Sequence, residues 1–376
     1  MAYGKIKADT IVWDNSGSDV DVNVSDIANK AGTASPAFTG TPTAPTAAAG
    51  TNTTQIATTA FVEAAAGNKL IEEGSTYRIQ FIAIGGGGAG GYDDSGWTGG
   101  GGGAGGMAYH DGFMATDGDN YTVTIGSGAT GPTSDSTMSG VDGSQAPNGG
   151  DTDIVGTNLK VTAYGGGGGA GYNGAYTGGA AGGCGGGSNG TNLAAGTGGM
   201  AKARGANGGT SSFGHAGGIG SWGTDRGDGQ YAGGGGGGVG GGPLHLRSQG
   251  GDATYGFVEW LNATSTGVTT NGLRCIGGGG GGGTYNNSTR PGGGGGGAGD
   301  GGSTSNATGG DATDGTGSGG GGKAPYNVAG RAGNGGDGLV IFRYPDNKGQ
   351  KASGGTVTQS GGWYYHVFTS SGTFTA

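Results

Sequence analysis

The chain has 376 residues, of which 31% are hydrophobic and 11% charged, with a formal net charge of −9. Glycine alone supplies 108 residues, so side chains able to fill a large conventional core are scarce beside the roughly 45–50% apolar content, glycine included, of ordinary domains. The low charge sets the chain apart from disordered sequences, and 17 scattered Lys and Arg exclude the clustered basic footprint that a nucleic-acid partner requires.

The length suits two or three domains. Cys184 and Cys275 are the two cysteines, too few for a disulfide framework. No apolar stretch follows Met1-Ala2-Tyr3-Gly4-Lys5-Ile6-Lys7, so no secretory signal is expected. No window approaches the ~18–20 apolar residues of a membrane span. Glycine divides the chain into three zones: seven glycines in residues 1–84, six in 339–376, and the other 95 in between.

Residues 5–27 read as short strands and turns. Ile6, Ala8, Thr10 and Val12 alternate with their neighbours, Asn15-Ser16-Gly17-Ser18 signals a turn, and Val20, Val22 and Val24 resume the period of two. Residues 35–66 are of low complexity. Pro36, Pro42 and Pro45 impose extended backbone. After Gly50, a Thr or Asn can cap a short helix with Ile56, Ala60 and Val62 on one side. One copy of such a segment buries little, so it reads as an oligomerising stalk.

In the middle zone three short β-type segments each run straight into glycine. They are Phe81-Ile82-Ala83-Ile84 before residues 85–88, Val161-Thr162-Ala163-Tyr164 before 165–169, and Leu273-Arg274-Cys275-Ile276 before 277–283. Each unit continues with an aromatic, polar loop and a second glycine run: residues 92–97, then 99–103; 172–176, then 178–179 and 185–187; 285–291, then 292–297. A further run, 233–238, lies in the longest gap. Leu339-Val340-Ile341-Phe342-Arg343-Tyr344 is the most strand-like segment, and residues 363–368 with 372–375 read as a closing hairpin.

Ordering a glycine costs about 1–2 kcal/mol of backbone entropy, and a net hydrogen bond returns only about 0.5–1.5 kcal/mol. An isolated run therefore stays unfolded. Collagen needs glycine at every third place and much proline, whereas these runs are contiguous and prolines number nine. A bundle of polyproline-II-type helices solves the problem differently. Three residues per turn point every N–H and C=O outward, and without Cβ atoms several helices can bond laterally. The expected fold is thus all-β and irregular: a polyglycine bundle clamped by short strands. The loops between runs would project from its ends. Their candidate contact residues are Tyr92, Asp94, Trp97, Tyr172, Tyr176, Trp222, Tyr231, Tyr285, Asn286 and Tyr326, the chemistry of adhesive surfaces. The plainer alternative for any one aromatic is packing over the lattice or against a neighbouring chain.

No enzyme or cofactor is indicated. The many GxGxxG matches follow from composition and lack a βαβ context. Residues 317–323 mimic a P-loop, but Ala324 replaces the magnesium-binding hydroxyl and Pro325 spoils the following helix. His110, His215, His245 and His366 lack metal-ligand spacing. Asp117-Gly118-Asp119-Asn120 and Asp311-Ala312-Thr313-Asp314 carry too few ligands for a calcium loop and read as solvated turns.

Two blocks carry a resemblance. Residues 35–63, from Ser35-Pro36-Ala37-Phe38-Thr39-Gly40 through Thr58-Thr59-Ala60-Phe61-Val62, resemble a repeat of tailed-bacteriophage tail fibres. Residues 77–344 resemble the glycine-rich domain at the ends of phage fibres and adhesins, through 82–91, Tyr121-Thr122-Val123-Thr124-Ile125-Gly126-Ser127-Gly128, and Gly335, Asp337 and Gly338 before 339–344. The resemblance implies a virion protein with polyglycine-II helices stacked as a sandwich and host contacts at loop tips. On that reading residues 1–34 dock to other tail proteins and 35–76 form a stalk, as a homotrimer. Residues 77–344 would present loops to a bacterial polysaccharide or outer-membrane protein, and 345–376 close the domain. The alternatives are a structural virion part, such as a capsid fibre or decoration protein, and a secreted antifreeze or silk-like polymer.

Overall fold

A computed structural model describes residues 10–14, 19–23 and 76–376, apart from 95, 135–136, 139–144, 157–158, 172–177, 191–209, 214–231, 243–247, 286–288, 325–328 and 348. The chain divides into Met1–Leu70 and Ile71–Ala376. In the first unit, strands β1 (Thr10–Asp14) and β2 (Asp19–Asn23) pair antiparallel, Thr10 opposite Asn23 and Asp14 opposite Asp19. The two paired strands are those expected on either side of residues 15–18, which themselves lie outside the described residues. The stalk and its helix fall outside the described residues.

The second unit is built on two open antiparallel sheets. Its strands are β3 (Thr76–Ile84), β4 (Met107–Thr116), β5 (Asn120–Thr124), β6 (Thr152–Val155), β7 (Lys160–Ala163), β8 (Thr210–Phe213), β9 (Val268–Thr270), β10 (Leu273–Cys275), β11 (Leu339–Pro345), β12 (Thr356–Ser360), β13 (Trp363–Phe368) and β14 (Gly372–Thr375). One sheet has the order β12-β13-β11-β3-β4-β8, the other β14-β5-β6-β7, and β9 and β10 form a hairpin of their own.

Both faces of the larger sheet are covered where residues 81–84 of β3 and 339–342 of β11 lie, which is why those stretches read as continuous apolar runs, while the first half of β3 alternates. Tyr77, Ile79, Phe81, Val340, Phe342 and Tyr344 pack against Tyr121, Val123, Ile154, Val161 and Phe374 of the smaller sheet. Ile82, Ile84, Leu339, Ile341, Tyr365 and Val367 face the other way, onto Trp260, Leu261, Val239 and Ile276. Tyr77, Ile79 and Phe81 share the first core by ordinary alternation; the register shift opposite them lies in β4, where it lets Ala108 and Phe113 both enter that core. Trp260 and Leu261 belong to helix α1 (Val258–Thr264). The guanidinium of Arg343 lies between two indoles there, 4.2 Å from the Trp260 ring centroid and 4.1 Å from that of Trp363.

The pairing of the C-terminal strands differs from the hairpin expected of residues 363–368 and 372–375. β13 instead pairs with β12 on one side and β11 on the other, while β14 crosses to pair with β5. Residues 345–376 therefore complete both sheets. The reason is apolar surface: Phe374 stacks on Phe342, ring centroids 4.3 Å apart, and such a ring is buried only between the sheets.

Where β3 ends and β4 begins, glycine takes over. Ile84 is opposite Met107 in the ladder, and the next residue inward, Gly85, donates to the Gly106 carbonyl at 3.1 Å. From there the pattern changes from two to three. Gly85, Gly88 and Gly91 donate to Gly106, Gly103 and Gly100; Gly86 and Ala89 donate to Gly150 and Pro147; Gly87 and Gly90 donate to Gly336 and Gly333. Each run thus bonds three neighbours in rotation, one per third of a turn. None of residues 85–91 or 99–106 has a positive φ, so these are left-handed polyproline-II-type helices. The run 99–106 repeats the rule. Gly99, Gly102 and Gly105 donate to Lys323, Gly320 and Gly317, while Gly100, Gly103 and Gly106 donate to Ala170, Gly167 and Tyr164. The expected polyglycine bundle, clamped by short strands, is the fold.

Helices on the flank lack a neighbour for some N–H groups, and asparagine or aspartate supplies one. Asn148 and Asp151 accept from the N–H groups of Gly168 and Gly165 at 2.9 and 2.8 Å. Asn334 and Asp337 accept from Gly131 and Gly128, both at 2.7 Å. Asp311 and Asp314 accept in turn from Asn334 and Asp337. In all three pairs the spacing of three in the acceptors matches the spacing of three in the donors. Asp311 is also gripped by both terminal nitrogens of Arg331, whose hydrogen bonds hold its carboxyl below the usual range. Asp311 and Asp314, expected as a solvated turn, are stitches of the lattice edge. Asp337→Ala should cost about 1–2 kcal/mol, since the Gly128 N–H loses a charged acceptor. Asp337→Asn keeps an acceptor oxygen and should lie within about 0.5 kcal/mol of the parent; urea denaturation of both variants checks this.

Candidate functional site

The end of the lattice away from the strands gathers several chain crossings at one level. Gly99 donates to Lys323, Gly283 to Gly99, Gly233 to Gly283, Gly100 to Ala170 and Gly91 to Gly100. Bridges join Thr98 to Gly190 and Ala232 to Thr284. Tyr92 follows Gly91, Trp97 precedes Thr98, Tyr172 follows Gly171, Tyr231 precedes Ala232, and Tyr285 follows Thr284. The lattice therefore brings the chain positions flanking five of the ten candidates to one face. Tyr172, Tyr176, Trp222, Tyr231, Asn286 and Tyr326 themselves lie outside the described residues.

Among the four described candidates, environments differ. Tyr92 is buried at 5% exposure, in a small apolar cluster with Ala89, Ala129, Met138, Ala146 and Ala332. Its ring is a packing element of the lattice flank rather than a surface offered to solvent. Asp94 is exposed, and Trp97 and Tyr285 are half-buried.

Sequence reasoning missed the residue that organises this end. Lys323, directly after the glycines of residues 319–322, is only 1% exposed. Its ammonium donates to the carbonyls of Asp93 and Ala324, both at 3.2 Å, lies 3.7 Å from Asp94 Oδ1, and sits 4.8 Å from the Tyr92 ring centroid. It thereby pins the start of the 92–98 loop to the run that ends at Ala324. The available signal was a lone cation among glycines, the feature that made residues 317–323 mimic a P-loop. Two further polar groups are buried here: the Thr98 hydroxyl and the Asn189 amide find no hydrogen-bond partner among the described residues, on segments joined by the Thr98–Gly190 bridge. Buried groups of that kind are ordinarily satisfied by water or a ligand.

A family described as a glycine-rich domain matches the chain over residues 65–345. The chain belongs to the glycine-rich domain family. No curated protein matches the chain significantly. The family match ends at the last residue of β11, so the glycine-rich domain here is completed by β12, β13 and β14 from beyond it.

Proposed function

We propose that this glycine-rich domain displays adhesive loops at the far end of its lattice, as the recognition part of a tailed-bacteriophage fibre or adhesin. Residues 1–34 would dock to other tail proteins and 35–76 would form a short stalk, as a homotrimer. The loops would bind a host polysaccharide or outer-membrane protein without enzymatic action. The observation that carries this reading is the convergence at one face of the chain positions flanking Tyr92, Trp97, Tyr172, Tyr231 and Tyr285. A backbone lattice has no mobile side chains and gives such loops a rigid base, which reduces the ordering cost of binding.

Trp97→Ala combined with Tyr285→Ala tests it. Both residues are half-buried and stand just outside the last lattice bonds, so the melting temperature should fall by only a few degrees. Adsorption of the full-length protein to host cells should drop more than about tenfold, since truncated anchors cost roughly 2 kcal/mol each. Unchanged adsorption refutes the loop assignment. A label on this chain found at the capsid rather than the fibre tip would favour a structural virion part instead.

A further inference from the structure

The two sheets meet along one side through a strap, residues 351–354, whose bonds converge on His366. Ser353 and Thr375 exchange both backbone hydrogen bonds, at 2.8 and 3.0 Å, tying the strap to the outer edge of β14. The Tyr344 hydroxyl accepts the N–H groups of Lys351 and Ala352 at 3.1 and 3.0 Å. It lies 3.2 Å from His366 Nε2, and His366 Nδ1 lies 2.8 Å from the Gly354 carbonyl. A carbonyl can only accept, so Nδ1 carries the proton and Nε2 accepts from Tyr344. The network is full: the phenol oxygen has two acceptor sites, both occupied, and its one proton is given to the histidine.

We propose that the strap is an acid-released latch, closed while His366 is neutral and opened when its second nitrogen takes a proton. An Nε2–H would point at an oxygen with no acceptor site left, and the Tyr344 proton would lose its partner. Among the described residues the titratable side chains on this side are Tyr344 of β11, Tyr77 of β3 stacked edge-on to it at 5.3 Å, and Tyr364 of β13, stacked on Tyr344 at 5.8 Å. Asp117 and, from β5, Tyr121 act on Tyr77 from its other side. The strap contributes Lys351, whose ammonium lies 5.5 Å from the Tyr77 ring centroid, and β14 presents Phe374, 5.2 Å from the imidazole. Lys351 would repel a second positive charge, and the aromatic faces offer it only a weak cation–π attraction in place of the hydrogen bonds lost. Burial itself pushes the His366 pKa below 6.5, against the opposing effect of the Gly354 carbonyl. The sign follows: with a depressed folded pKa, the closed state is favoured above pH 6.5 and loses that advantage as pH falls below it. Opening frees the edge of β14 that Ser353 covers.

Amide exchange on the full chain at pH 7.5 and 5.5, corrected for intrinsic rates, tests this in a window where ordinary carboxylates stay charged. Protection at Lys351, Ala352, Ser353 and Thr375 should fall up to about tenfold at pH 5.5, the limit set by an open-state pKa near 6.5. Amides of β3 and of the lattice should not change. In His366→Gln the four amides should show no dependence on pH across this window. Unchanged protection in the parent, or an equal fall in the variant, overturns the latch. Imidazole nitrogen shifts of the parent give a readout independent of the variant's folding. A neutral, Nδ1-protonated ring persisting to pH 6 supports the latch, and an ordinary titration near 6.5 defeats it.

Discussion

Gly102→Ala is expected to cost more than about 3 kcal/mol and to remove the cooperative unfolding transition or shift it strongly downward. A Cβ at this position would overlap the Gly88 carbonyl oxygen and lie 2.6 Å from its carbonyl carbon and 2.8 Å from the Ala89 oxygen. Those atoms are backbone and cannot turn aside. The Gly88 carbonyl itself accepts from Gly320, and Gly102 donates to Gly320 and accepts from Gly280, so moving one helix loosens three. Overpacking a core usually costs about 1–3 kcal/mol because side chains can readjust; here none can. Gly292→Ala is the matched control. It lies in a glycine run too, but an added Cβ meets nothing within 4 Å and its φ is not positive. Stability should stay level or rise by up to about 1 kcal/mol through the stiffer unfolded chain. Equal effects of the two substitutions, measured by thermal or urea unfolding, would mean that close backbone approach is not what these glycines provide.

The lattice was legible because its requirement is compositional. Contiguous glycine after Ile84 and Ile276 permits one ordered solution, lateral bonding between backbones, and the strands before it announced themselves by branched and aromatic residues. What was not legible depends on which helices become neighbours. Asn334 and Asp337 mean little until residues 128 and 131 stand beside them. Helix α1 has seven residues and no side-chain cap at Phe257, too short to be stable by propensity; it exists because Trp260 and Leu261 cover the larger sheet. β14 likewise finds β5 across a sequence separation of some 250 residues through the burial of Phe374. At the candidate site the error ran one way. Tyr92 looked like its neighbour Trp97 in composition, but a ring directly after Gly91 meets the alanine-lined flank before it meets solvent.

Lys323→Met should lower stability by about 1–3 kcal/mol and release the 92–97 loop, while Lys323→Ala should cost more. Methionine keeps most of the buried stem, so the first variant isolates the ammonium. Its loss leaves the Asp93 and Ala324 carbonyls without that donor, and buried acceptors deprived of a partner cost about 1–3 kcal/mol. The Tyr92 ring also loses the charge held 4.8 Å from its centroid. Little of the effect should come from Asp94, because that carboxylate is 46% exposed and solvent screens the pair. Alanine adds the cavity left by the stem, in a lattice that cannot collapse into it. The two variants separate the scaffold from the display: amides of residues 99–106 should remain protected in Lys323→Met while those of 93–97 exchange faster. If recognition needs an ordered 92–98 loop, adsorption should fall with the loop rather than with the melting temperature. A Lys323→Met protein as stable as the parent, with the loop equally protected, would show that the buried cation is not the pin.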